Sequence, residues 1–198
     1  MPRLTSGSTI SEHRAHVESN LLDAFETVLA DVGWDALTLR DVAVQAGVSR
    51  TVVYNYFRDR ASMLIAWTGR EMDQFLDLCE RELAPAKGPV RRLELLVSLV
   101  LAEYACQRGP ALEIHGVLSP ADKAALMDHV EPLRDLVTHI LRTGHDVGVM
   151  DCPDVDMAAQ VVLAALESQR DALHQGGRLD DAAERLWPLV QRIIGVMS

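Results

Sequence analysis

Within the nine residues from Ser49 to Phe57, SRTVVYNYF, a guanidinium, two methyl-bearing side chains and two phenols crowd together: Arg50, Thr51, Val52, Tyr54 and Tyr56. That set suits the edges and walls of a DNA major groove. An arginine fork matches O6 and N7 of guanine, the methyls of Thr51 and Val52 suit the thymine methyl, and tyrosine hydroxyls reach phosphate oxygens. Val53 and Phe57, spaced i and i+4, would point the other way, into a core.

A reading helix of this length must be held by its neighbours. In the segment 38–60, TLRDVAVQAGVSRTVVYNYFRDR, Ala43 is small where two helices would approach most closely. Gly47 can adopt the left-handed conformation that ends a helix, and Val48 and Val53 can plug the seam. Thr38 with Asp41 forms a capping box for the first helix of the pair, and Ser49 caps the second. Upstream, SEHRAHVESNLLDAFETVLADVGW carries an apolar stripe of Val17, Leu21, Leu22, Phe25, Val28, Leu29 and Val32 that ends at Gly33. The spacing predicts three helices, with the third as reader.

The chain has 198 residues and a formal net charge of −10, an unusual balance for a protein that neutralises phosphates. The charge is unevenly spread. Residues 1–67 hold 6 basic and 8 acidic residues, residues 68–198 hold 13 and 21, and the segment 38–60 sets four arginines (Arg40, Arg50, Arg58, Arg60) against Asp41 and Asp59. The positive charge sits at the reading head, and an acidic remainder limits indiscriminate adhesion to nucleic acid. No run of about 18 uncharged apolar residues occurs, and the N-terminus lacks the apolar stretch of a signal peptide; a soluble, cytoplasmic protein without membrane contact is expected. Cys79, Cys106 and Cys152 lie far apart with no C-x-x-C pair, which favours small buried hydrophobes over a zinc site or disulfides. His13 and His16 form an H-x-x-H without a completing ligand, so no metal and no cofactor is expected.

From residue 59 onward helical periodicity is punctuated by Pro and Gly, with helices expected over 60–84, 89–107, 111–117, 120–144, 153–175 and 180–196. The fold class is therefore all-α: a helix-turn-helix DNA-binding domain over 1–58 joined to a helical bundle over 59–198 for ligand binding and dimerisation. The last two helices are candidates for a twofold four-helix interface. VDMAAQVVLAALESQRDAL, with Val162 and Leu166, is rich in small residues, and ERLWPLVQRIIGVM carries Leu186, Val190, Ile193 and Met197 as a stripe. Periodicity alone equally allows these stripes to fill the subunit's own core. Met63, Trp67, Tyr104, Cys106, His115, Met127 and His139 combine apolar bulk with a few polar groups and are candidates for a small-molecule pocket.

LLDAFETVLADVGWDALTLRDVAVQAGVSRTVVYNYFRDRASML resembles the N-terminal domain of TetR-family transcriptional regulators, in register from the LLDAF run through Gly33, TLRDVA, AGVS and YNYF. Three positions depart from the family's commonest pattern: Thr51 where glycine is frequent, Arg60 where lysine is usual, and Ala61 where glutamate is usual. The resemblance implies that Thr38, Arg40, Ser49, Arg50, Thr51, Val52, Tyr54, Tyr56 and Arg60 lie at or near double-stranded operator DNA. It implies a homodimeric repressor, and a small-molecule effector that tilts the helix following residue 59 until the two reading heads leave adjacent major grooves. Two other readings stand beside it: a constitutive DNA-binding regulator without an effector, and a helical-bundle enzyme with an incidental helix-turn-helix. Against the enzyme, the chain has no E-x-x-H, no G-x-x-x-x-G-K-[ST] and no G-x-S-x-G motif.

Overall fold

The computed structural model describes residues 6–106 and 118–196, and among them every regular element is a helix. In chain order these are α1 (Ser6–Ala36), α2 (Leu39–Gln45), α3 (Arg50–Tyr56), α4 (Arg60–Leu83), α5 (Pro89–Cys106), α6 (Pro120–Asp128), α7 (Glu131–Asp146), α8 (Val155–Glu167), α9 (Arg170–His174) and α10 (Leu179–Ile193). They pack as two units, residues 6–71 with 118–127 and residues 72–106 with 128–196.

In the first unit the stripe on α1 behaves as its spacing predicts. Leu21, Leu22, Phe25, Val28 and Leu29 are buried with Leu37, Val42, Ala43, Val53, Phe57, Met63 and Leu64 in one core, while Val32 stays exposed. Each large apolar side chain removed from water there stabilises by roughly 1.5–3 kcal/mol. Gly33, at φ 74 and ψ 169, breaks the helical path of α1 at the place where the apolar stripe ends. Arg70 of α4 then ties α4 to α1. Its Nη1 lies 2.6 Å from Oδ1 of Asp23, and its Nη2 lies 3.4 Å from Oε2 of Glu26 and 3.1 Å from Oε1 of Glu71. Leu118 and Leu126 bury themselves in this same core, so α6, placed by periodicity among the helices of the second domain, packs here.

The second unit is a bundle of α5, α7, α8, α9 and α10 with the end of α4. Leu93, Leu96, Val97, Val100, Leu101 and Tyr104 of α5 are buried against Val137 and Leu141 of α7, Val162 and Leu166 of α8, and Leu186 and Val190 of α10. Two long helices expected from periodicity are each divided. The stretch 120–144 breaks before α7 because Pro132, in its first turn, has no N–H to donate and its ring opposes the carbonyl four residues back. The stretch 153–175 breaks after α8, where the Ser168 hydroxyl donates to the Ala165 carbonyl at 2.6 Å and competes with the helical ladder. No helix among the described residues is long and apolar enough to cross a membrane.

Candidate DNA-binding surface

The turn between α2 and α3 is built by local hydrogen bonds. Gly47 has φ 67, the left-handed region that costs a glycine least. The Gly47 N–H donates to the Val44 carbonyl at 3.2 Å and the Val48 N–H to the Ala43 carbonyl at 3.0 Å, which together close a Schellman motif at the end of α2. Thr38 opens α2. Its hydroxyl accepts from the Asp41 N–H at 3.3 Å and donates to Oδ2 of Asp41 at 2.5 Å. Ser49 opens α3 by accepting from the Val52 N–H at 3.4 Å. Each cap of this kind is worth about 1 kcal/mol. The residues named as caps and turn glycine thus occupy those places, with Ala43 and Val53 buried in the seam and Val48 half-buried.

The fully buried Val53 fixes the rotation of α3. Arg50, Thr51, Tyr54 and Asn55 are exposed, and Val52 and Tyr56 are half-buried at the flanks. At 100° per residue, Thr51 and Asn55 lie farthest from the core direction set by Val53. Asn55 is absent from the set read in the sequence. Its amide offers the donor and acceptor pair that matches adenine N7 and N6, and its place on the helical wheel relative to Val53 was the signal available. Thr38, Arg40 and Ser49 are also exposed.

Arg60 is engaged within the fold. Its Nη1 donates to the carbonyls of Trp34 at 2.8 Å and Asp35 at 3.4 Å, and its guanidinium carbon stands 4.6 Å from the centre of the Trp34 ring. It therefore braces the end of α1 from the first turn of α4. Arg58 is exposed and pairs with Asp59 at 2.7 Å and with Asp122 of α6 at 3.6 Å.

The candidate pocket residues fall on both units. Met63 is fully buried in the first core, with Trp67 half-buried at its edge, 6.0 Å from the Phe25 ring, and Met127 is exposed on α6. In the second unit Cys106 and His139 are exposed and Tyr104 is buried; His115 lies outside the described residues. The Tyr104 hydroxyl donates to Oε2 of Glu167 at 3.0 Å under the Arg170 guanidinium, which sits 3.9 Å from the ring centre. Burial pushes this phenol up to about 12, so it remains a neutral donor at physiological pH. His139 borders a surface pocket of about 140 Å³ with Ala86, Gly88, Pro89, Arg92, Ile140 and Thr143. Of the cysteines, Cys79 and Cys152 are buried and Cys106 is exposed. Burial, with the Glu103 charge behind it, pushes the Cys79 thiol up to about 11 and leaves it a poor nucleophile.

The apolar residues picked out on the last helices are largely spent on the subunit itself. Val162, Leu166, Leu186 and Val190 are buried in the second core and Ile193 packs half-buried against it, while Met197 lies outside the described residues. Met157 and Val161 of α8 and Leu189 of α10 remain exposed on the same two helices.

A capped helix, a Schellman turn and a short exposed helix pinned by a third define a protein of the helix-turn-helix class. Residues 21–67 match the model of the bacterial regulatory proteins of the tetR family. Over 129 residues the chain is 29% identical to the HTH-type transcriptional repressor KstR of Mycolicibacterium smegmatis, a match covering 63% of this chain and 62% of that protein, less than two thirds of its length. Two solved structures share the fold: the fatty acid degradation regulator FadR from Bacillus halodurans, with a TM-score of 0.77, 19% identity and coverage of 87% of this chain and 93% of that one, and FadR from Bacillus subtilis in complex with stearoyl-CoA, with a TM-score of 0.76, 19% identity and coverage of 91% and 99%. Residues 21–67 thus match the N-terminal domain that this family model describes.

Proposed function

We propose that the protein is a homodimeric transcriptional repressor that leaves a palindromic operator when a small-molecule ligand binds. The observation that carries this reading is the exposed face of α3, with Arg50, Thr51, Tyr54 and Asn55 held outward by the buried Val53. The exposed Thr38, Arg40 and Ser49 and the half-buried Tyr56 suit contacts to backbone phosphates. A reading helix of seven residues touches few base pairs, so two copies about 34 Å apart on one face of the duplex supply the missing specificity. The similarity to a named repressor supports the sign of regulation, and the FadR structure with stearoyl-CoA makes acyl-CoA thioesters the first effector class to examine.

Selection of duplexes from a random pool tests the reading. The expected product is a palindrome whose half-sites are centred about 10 base pairs, or a multiple of that, apart. Failure to enrich any sequence overturns it. Fluorescence anisotropy on the selected duplex with stearoyl-CoA added then tests release. A second reading, a constitutive regulator without an effector, predicts an affinity unmoved by stearoyl-CoA and by a panel of other acyl-CoA thioesters.

A second copy of the chain would meet the stripe of Met157 and Val161 on α8 and of Leu189 with Ile193 on α10, each pair spaced i and i+4. Replacing Val161 and Leu189 together by Asp is expected to produce monomers in sedimentation velocity that keep the wild-type far-UV helical signal, because both side chains are exposed in the subunit. A dimer that survives this double substitution would place the interface elsewhere.

A further inference from the structure

α1 reaches well past the core it serves. Its first fully buried residue is Leu21, Val17 is half-buried, and residues 10–16 are exposed. The stretch from residue 10 to residue 16, roughly 10 Å of helix, is therefore exposed at the edge of the unit. A helix tip that buries so little adds little to stability; what it adds is reach.

The direction of that reach follows from the contacts at its base. Nδ2 of Asn20 donates to the Ala46 carbonyl at the end of α2 at 3.2 Å, and Val17, like Ala46, Val48 and Tyr56, packs against the core of this unit. One turn further out, at the same i, i+3 spacing, the guanidinium carbon of Arg14 lies 5.6 Å from the centre of the Tyr56 ring. Tyr56 is the last residue of α3. The face of α1 bearing Asn20, Val17 and Arg14 thus runs along the α2–α3 turn and ends beside the C-terminus of the reading helix. Arg14 is exposed and takes part in no ion pair found among the described residues, so its charge is available while the aromatic ring holds its position.

We propose that Arg14 is a further DNA-contacting residue, a phosphate clamp that the exposed stretch of α1 delivers to the backbone beside the groove entered by α3. A phosphate within reach of the Tyr56 hydroxyl lies beside a guanidinium stacked on the same ring, which adds a charge-assisted bond and a released counterion. Because such a contact carries no base information, it raises affinity without altering which sequence is read.

The inference rests on α3 being the reading helix, and the test separates the two. A duplex enriched by the wild-type protein from a random pool is titrated by fluorescence anisotropy across about 50 to 200 mM KCl. With Arg14→Gln the slope of log Kobs against log salt is expected to become shallower by about 0.9 for each bound protomer, and Arg14→Lys is expected to retain the wild-type slope. Repeating the selection with Arg14→Gln is expected to enrich the same sequence. An unchanged slope in Arg14→Gln, with or without a lowered melting temperature, overturns the proposal, since a residue that only braces Tyr56 would shift melting and not counterion release. A wild-type protein that enriches no duplex overturns the reading of α3 itself and this inference with it.

Discussion

Leu186→Asp is expected to unfold the second unit rather than merely separate two subunits. Leu186 is 3% exposed on α10, packed in the same core as the fully buried Val190 and Ile194. A carboxylate there loses its hydration, and no buried charged side chain among the described residues stands ready to compensate it. Losing the apolar contacts and desolvating the charge together cost upward of about 4 kcal/mol, a large part of a typical domain's total stability. Far-UV circular dichroism should show a melting temperature lowered by at least about 15 °C, or no cooperative transition at all. A melt within a few degrees of wild type would mean that Leu186 is not in the core. The contrast with Leu189, 51% exposed on the same helix, makes the two positions a paired test of what α10 contributes to the subunit and what it leaves for a partner.

Arg50→Ala and Asn55→Ala are each expected to weaken binding to the selected duplex at least about thirtyfold without affecting folding. A bidentate contact to a base pair is worth ~1–3 kcal/mol, and a twofold complex makes it twice, giving ~2–6 kcal/mol in total. Both side chains are exposed, so the melting temperature should stay close to that of the wild type. Arg50→Lys sharpens the result. Lysine keeps the charge but not the fork, so a loss close to that of alanine assigns Arg50 to a base edge, whereas near-complete recovery assigns it to a phosphate. Wild-type affinity in both alanine variants would move the reading surface off α3.

The recognition unit was legible because its determinants are local. The cap of Thr38 on Asp41, the Gly47 turn with its bond from Val48 to Ala43, and the cap of Ser49 on Val52 each span six residues or fewer, so residue types at fixed offsets suffice to infer them. Asn55 was legible on the same terms, through its angle from Val53, but it stood outside the expected set. Pro132 likewise marked a helix break that the apolar period runs across, because hydrophobic spacing does not register a missing N–H.

Sequence alone determined the all-helical character, the turn and the face of α3 that looks away from the core, since each depends on neighbours within a turn or two. Tertiary structure alone decided the fate of side chains whose partners are distant along the chain. The Arg60 fork is engaged by carbonyls 25 and 26 residues upstream, and the stripe of Val162, Leu166, Leu186 and Val190 turns into the subunit's own core while Met157, Val161 and Leu189 are left outside. It also placed Arg14 over Tyr56, 42 residues away. Apolar period and charge state which groups seek burial or a counter-charge; only the packing of whole helices determines which partner each one finds.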